Sequence, residues 1–246
     1  MEGYRFYHGK KLRYGFTTGS AATAAAKAAM IIFFNDEVPD DVIIDLPIGG
    51  TLVIEINSAR KREDYTLASV IKDGGDDPDI THGVEIFAKI SLRDDDKVNI
   101  FGGIGVGTVT KKGLPMEIGK SSINPVPLRM IETEVRKILP ENKGVNVEIF
   151  IPEGEELAKR TLNPKLGVIG GLSILGTTGI VKPMSEEAFK DSLAIELKMC
   201  LADSSDNEII FVFGNYGKRF VNNNFQVDEE RVLVISNFVG FMLDKA

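Results

Sequence analysis

The segment Ala21–Phe34 constrains this chain more than any other. Its first half, Ala21-Ala22-Thr23-Ala24-Ala25-Ala26-Lys27-Ala28-Ala29, is almost all small and helix-forming, and Ser20 ahead of it is a good cap. A face of alanines lets another backbone come close, so the helix is expected to pack tightly on a sheet. The residues before it, Arg13-Tyr14-Gly15-Phe16-Thr17-Thr18-Gly19-Ser20, form a polar, glycine-punctuated lead-in.

The sheet is sought in the apolar runs that follow. Val42–Leu46 and Thr51–Ile56 flank Pro47-Ile48-Gly49-Gly50 and predict a hairpin. Ala68–Lys72, Val84–Leu92, Val98–Phe101 and Val145–Ile151 are further strands, with a helix at Leu128–Leu139 behind Pro125 and Pro127. Ser58–Thr66 is polar and charged and reads as an exposed connection. After Pro152 the pattern changes. Ser185 caps an amphipathic helix to Leu201 in which Phe189, Leu193, Leu197 and Cys200 share a face, making Cys200 a core residue. Strands at Glu208–Phe213 and Val232–Ile235 and a helix at Phe238–Leu243 complete an alternating pattern. The expected class is α/β. An α+β domain over 1–152, mostly antiparallel and carrying the Ala-rich helix, precedes a Rossmann-like parallel α/β domain over 153–246.

Several function classes fall away. The formal charge is −7, against the basic footprint of a sequence-independent nucleic-acid binder. No run reaches the roughly 18 apolar residues of a membrane span, and the start Met1-Glu2-Gly3-Tyr4-Arg5 has no signal-peptide core. One cysteine excludes an intrachain disulfide, and two histidines argue against a protein-bound metal. A cytoplasmic protein without nucleic-acid or membrane partners is expected.

Three segments stand out. Asp73-Gly74-Gly75-Asp76-Asp77-Pro78-Asp79-Ile80-Thr81-His82-Gly83 crowds four carboxylates and a histidine into a glycine-rich loop. It fails the EF-hand template, which needs Gly and Glu where Pro78 and Val84 stand. It is either a ligand site or a solvated turn. Gly102-Gly103-Ile104-Gly105-Val106-Gly107 follows a strand, but Thr108-Val109-Thr110 denies it the helix a nucleotide loop requires. It offers bare backbone to a ligand or makes a tight β-corner. Gly167–Gly179 is apolar, glycine-rich and hydroxyl-bearing, and either lines a pocket or runs through the core.

Together, Arg13–Lys27, Lys72–Gly83, Gly102–Gly113, Ser122–Pro127, Gly170–Ser185 and Ser236–Met242 resemble the CbiD family, whose members are cobalt-precorrin-5B (C1)-methyltransferases of the anaerobic route to cobalamin. The resemblance implies methyl transfer from S-adenosylmethionine to ring carbon 1 of a cobalt-bearing tetrapyrrole, the cobalt arriving with the substrate. The alternative is a non-catalytic tetrapyrrole carrier or scaffold. Family members usually carry Cys directly after the Thr-Thr-Gly-Ser run, where this chain has Ala21, so a thiol there is not essential to its chemistry. They also usually continue beyond the point where this sequence stops.

Expected sites follow. Asp73, Asp76, Asp77 and His82 are the catalytic candidates, the carboxylates facing the sulfonium and His82 moving a proton. Thr17, Thr18, Lys72, Gly102, Gly103, Gly105, Gly107, Lys111 and Asn124 are candidate contacts for the ring, whose many carboxylates demand local donors on an acidic chain. The glycines are expected to form a backbone wall. Both predicted C-terminal strands end in an Asn, and ligands of parallel α/β sheets bind at that edge. Gly214, Asn215 and Asn237, with Thr177 and Thr178, are therefore expected to hold S-adenosylmethionine; the competing explanation for the Asn and Thr is ordinary helix and strand capping.

Overall fold

The computed structural model describes residues 3–203 and 208–246. The chain opens with strands β1 (Tyr4–Tyr7) and β2 (Lys10–Arg13), an antiparallel hairpin. Its two-residue turn, His8-Gly9, has φ of 46° and 76°, the turn that follows strand twist. Strand β3 (Gly15–Phe16) then feeds helix α1 (Thr18–Asn35). The cap is Thr17, not Ser20. Thr17 keeps extended backbone and its Oγ1 accepts the Ser20 N–H at 3.2 Å, while Ser20 lies inside the first turn and donates its hydroxyl to the Gly179 carbonyl at 2.7 Å. The cap moves because tertiary partners claim Ser20.

Helix α1 is surrounded, which is what a helix apolar on every side requires. Ala21, Ala22, Ala24, Ala25, Ala26, Ala28 and Ala29 are all fully buried. On one side is the hairpin β4 (Asp41–Asp45) and β5 (Thr51–Glu55), as expected. On another is the main sheet, built from β6 (Ser58–Lys61), β7 (Thr66–Ile71), β8 (Glu85–Arg93), β9 (Val98–Gly102) and, after short strands β10 (Gly105–Val106) and β11 (Thr108–Val109) and helix α2 (Pro125–Arg136), strand β12 (Gly144–Phe150). The order is β6-β7-β8-β12-β9, antiparallel except for β12 with β9. Ala68 and Ala88 of the sheet are also fully buried, and the Thr66 hydroxyl donates to the Ala29 carbonyl. The polar stretch expected to be a connection is partly strand β6. It sits at the sheet edge, where polar residues are at home, and Ser58 pairs with Ser69 through hydroxyls 2.7 Å apart.

Beyond β12 come the short helix α3 (Gly154–Ala158) and strands β13 (Val168–Ile169), β14 (Gly171–Leu172) and β15 (Ile180–Val181). These pair with β11, β10 and β3 respectively. Leu172 and Ile174 are buried, so the Gly167–Gly179 segment is woven into the core. The pairings also explain why the chain divides after Met184 and not near Pro152: one compact unit is the chain up to Thr110 with Ile118–Met184, the other Lys111–Glu117 with Ser185–Ala246.

The smaller unit contains α4 (Glu186–Asp203), β16 (Ile210–Val212), α5 (Asn215–Asn224), β17 (Val232–Val234) and α6 (Val239–Leu243). Ser185 Oγ accepts the Ala188 N–H. Strands β16 and β17 pair in parallel with α5 between them. Leu193 and Leu197 bury against Leu233, Ile235 and Met242. Phe189 is 47% exposed, since its turn extends past this small core, and Cys200 is half-buried, its thiol donating to the Glu230 carbonyl.

Candidate functional site

The acidic loop has structure of its own, and each of its carboxylates is held by a partner within the protein. Asp73 takes a two-pronged ion pair from Arg13 at 2.5 and 2.9 Å and accepts the Gly75 N–H. The Arg13 hydrogen bond, outweighing partial burial, holds the Asp73 carboxyl below the usual range. Asp76 accepts the Arg13 backbone N–H at 2.6 Å, and Asp77 accepts that of Met184 at 2.9 Å. Asp79 pairs with Lys72, whose side chain is 1% exposed, and accepts from the Thr81 backbone and hydroxyl. Burial alone would raise the Asp79 pKa, but Lys72 and Thr81 lower it overall. The expected free donor Lys72 is thus a buried partner of the loop. Among the described residues, no group of three or more His, Cys, Asp or Glu side chains is placed to hold a metal ion.

His82, like Asp76, is exposed. Its Nδ1 accepts the Gly74 N–H at 3.0 Å. A backbone N–H needs a lone pair opposite it, so in the neutral ring the proton sits on Nε2. The nitrogen left for a ligand is then a donor.

The glycine corner is filled by the protein itself. Gly105 has φ of 72°, and a Cβ there would overlap the Ile151 carbonyl oxygen. The Gly102 N–H donates to Ser121 Oγ, that of Gly103 to the Ile149 carbonyl and that of Gly107 to the Leu172 carbonyl. A backbone wall facing ligand does not fit amides already committed to the core; the tight β-corner is what the segment forms.

At the start of α1 several expected residues do meet. Thr18 Oγ1 receives the Leu175 N–H at 2.8 Å, and the Gly19 N–H donates to the Leu175 carbonyl. Gly176 lies against the Thr17 side chain, and the Asn124 N–H donates to the Ile174 carbonyl. Asn124 caps α2 by position, yet its buried Oδ1 accepts no hydrogen bond. Thr177 is exposed, while Thr178 closes a turn onto Ile180. Beneath this cluster runs a buried network that sequence reasoning missed: Ser122 and Ser173 hydroxyls 2.7 Å apart, with Asn163 accepting from Ser173 and donating to the Gly171 carbonyl. Serines spread over 51 residues carry no spacing signal. Arg13, also missed, heads a recognisable motif, but only the fold reveals its partner.

The remaining candidates belong to the smaller unit. The parallel register Val212↔Val234 brings both strand ends to one edge. Asn215, exposed, begins α5 behind Gly214, around which there is open space, and Asn237 is exposed after Ser236. Lys111 lies 3.7 Å from Glu230 in an ion pair.

The CbiD family model matches residues 5–183, close to the limits of the larger unit. A relative from Thermosipho africanus named cobalt-precorrin-5B C(1)-methyltransferase is 52% identical over 237 residues, which is 96% of this chain and 66% of that protein. One from Thermoanaerobacter sp. with the same name is 49% identical over all of this chain and 67% of its own length. The chain thus spans about two thirds of the length of the curated relatives it matches. A crystal structure of a cobalamin biosynthesis protein (CbiD) from Archaeoglobus fulgidus, 27% identical, aligns over 98% of this chain and 77% of that one with a TM-score of 0.57. The motif order read from the sequence, the matched model and the half-identical relatives agree: the chain belongs to the CbiD family.

Proposed function

We propose that the protein transfers a methyl group from S-adenosylmethionine to carbon 1 of cobalt-precorrin-5B. The observation that carries this reading is relatives about half identical across nearly the whole chain that bear this activity in their names. S-adenosylmethionine supplies a methyl group activated as a sulfonium; the cobalt is part of the substrate. Such a transfer asks the protein chiefly for alignment and exclusion of water. That suits a chain whose acidic loop is braced by internal ion pairs.

The donor chemistry at the end of β16 and β17 fits S-adenosylmethionine. Open space around Gly214 leaves room for backbone approach, and Asn215 and Asn237 offer amide donors and acceptors on one edge. Thr17, Thr18 and Asn124 would frame the ring substrate at the start of α1, and His82 would donate a hydrogen bond through Nε2. The test is incubation with cobalt-precorrin-5B and labelled S-adenosylmethionine, with mass analysis of the ring. Ring methylation at carbon 1 is expected; a bound but unmethylated ring would make the protein a carrier. Asn215→Ala and Asn237→Ala are each expected to weaken S-adenosylmethionine binding about tenfold, the effect of one to two hydrogen bonds. Unchanged titration curves would remove these residues from the site.

A further inference from the structure

The acidic chain begins with an island of opposite charge. Residues 4–13 hold Arg5, Lys10, Lys11 and Arg13, with no Asp or Glu, in a protein of net charge −7. They form the β1–β2 hairpin, and pairing sorts their side chains onto two faces. Arg5 and Leu12 share the half-buried face, Arg5 donating to the Pro183 and Met184 carbonyls. The other face carries Tyr4, 51% exposed, and Phe6, 69% exposed, with Lys11 opposite Phe6. Tyr4 and Phe6 meet edge to face at 5.7 Å, and the Lys11 ammonium lies 3.8 Å from the Tyr4 ring centre. Lys10 and Lys11 have no carboxylate partner among the described residues. The same face runs into the candidate site, since Arg13, opposite Tyr4, is the residue that grips Asp73.

We propose that Tyr4, Phe6 and Lys11 of this face, with Lys10 beside the turn at the hairpin's tip, bind the carboxylate-fringed ring of the tetrapyrrole substrate. Exposed aromatic rings supply apolar surface for a large flat ligand, and unpaired ammonium groups at the tip suit its anionic fringe. The proposal rests on the methyltransferase reading for the identity of the ring, and on charge complementarity for its location.

The test uses the full chain with two probes. Uroporphyrin, a carboxylate-fringed tetrapyrrole, reports binding by fluorescence quenching whether or not the protein is a methyltransferase; cobalt-precorrin-5B reports turnover. Lys10→Glu with Lys11→Glu is expected to weaken uroporphyrin binding and raise KM for the precorrin about tenfold, with most of the difference lost at 1 M salt. Phe6→Ala is expected to raise the uroporphyrin Kd and the precorrin KM several-fold at any salt, and Lys10→Arg with Lys11→Arg to keep near-parent values. Unchanged binding and KM in both the charge-reversed and Phe6→Ala proteins would overturn the proposal. So would equal binding of the uroporphyrin methyl ester, or hairpin-dependent binding of single-stranded DNA or phosphatidylserine vesicles without uroporphyrin binding. Hairpin-dependent uroporphyrin binding with no methyl transfer by the parent protein would overturn the function and leave this site standing.

Discussion

Asp79 and Lys72 set the tolerance of the acidic loop to change. With Lys72 1% exposed, removing its partner leaves a buried cation unpaired, so Asp79→Ala is expected to cost about 3–5 kcal/mol in denaturant unfolding. Lys72→Met is expected to cost less, because Asp79 is the more exposed partner and keeps its two bonds from Thr81. The loop also sets a pH dependence. Asp73 and Asp79 have lowered pKa values in the folded protein. Their contribution is therefore complete above the unfolded carboxylate value near pH 4 and is lost as pH falls through the folded values. Urea midpoints are expected to stay level from neutrality to about pH 5 and then fall, and the fall should be shallower in Asp79→Asn measured against its own neutral value. Gly105 presents a different kind of limit. Gly105→Ala meets both positive φ and the Ile151 carbonyl, so loss of about 3 kcal/mol or more is expected in thermal or denaturant melts, with any loss of ligand binding following from unfolding.

At the scale of elements, the junction of α1, α2 and β4 is held by one buried carboxylate. Glu134 is 1% exposed, receives Lys27 at 2.7 Å and Lys137 at 2.6 Å, and accepts the Asp45 N–H at 3.0 Å. Burial opposes its ionisation, but these donors keep its pKa below the ordinary value. Glu134→Gln is expected to destabilise the protein by about 2–4 kcal/mol, because two ammonium groups lose their shared counter-charge. Amide exchange should quicken in α1 and α2 before it does in β12; uniform exchange across all three would mean that the junction is not specifically weakened. Element identity was largely legible: the hairpin β4–β5, strands β7, β8, β9 and β12 and helices α1 and α4 lie close to where apolar period and turn residues put them, while α2 starts three residues earlier than expected, at Pro125, because proline suits a helix's first turn. The exceptions are instructive. Strand β6 is polar because an edge needs no apolar face, and Thr17 replaced Ser20 as the cap because Gly179 holds the Ser20 hydroxyl.

Across the whole molecule, the buried cluster of the larger unit draws only on residues between Ala21 and Ile180, and those of the smaller unit only on residues from Leu193 to Met242. A fragment ending at Met184 is expected to unfold in one cooperative transition of its own, since its core is intact. A non-cooperative melt of that fragment would show that the larger unit depends on the rest of the chain. The family was readable from ordered motifs, and so was the need to bury Ala21–Ala29, because composition and spacing are local properties. The roles inside those motifs were not. Four crowded carboxylates look alike in sequence whether they face a ligand or, as here, Arg13, Lys72 and two backbone amides; four glycines look alike whether they admit a ligand or their own chain. For Asp73, Asp76 and Asp77 those choices are made by groups 60 to more than 100 residues away, Arg13 for the first two and Met184 for the third, while Asp79 takes the nearby Lys72 that the core buries. Only the tertiary structure decides them, because a charge or an amide takes whichever partner the packed core places within reach.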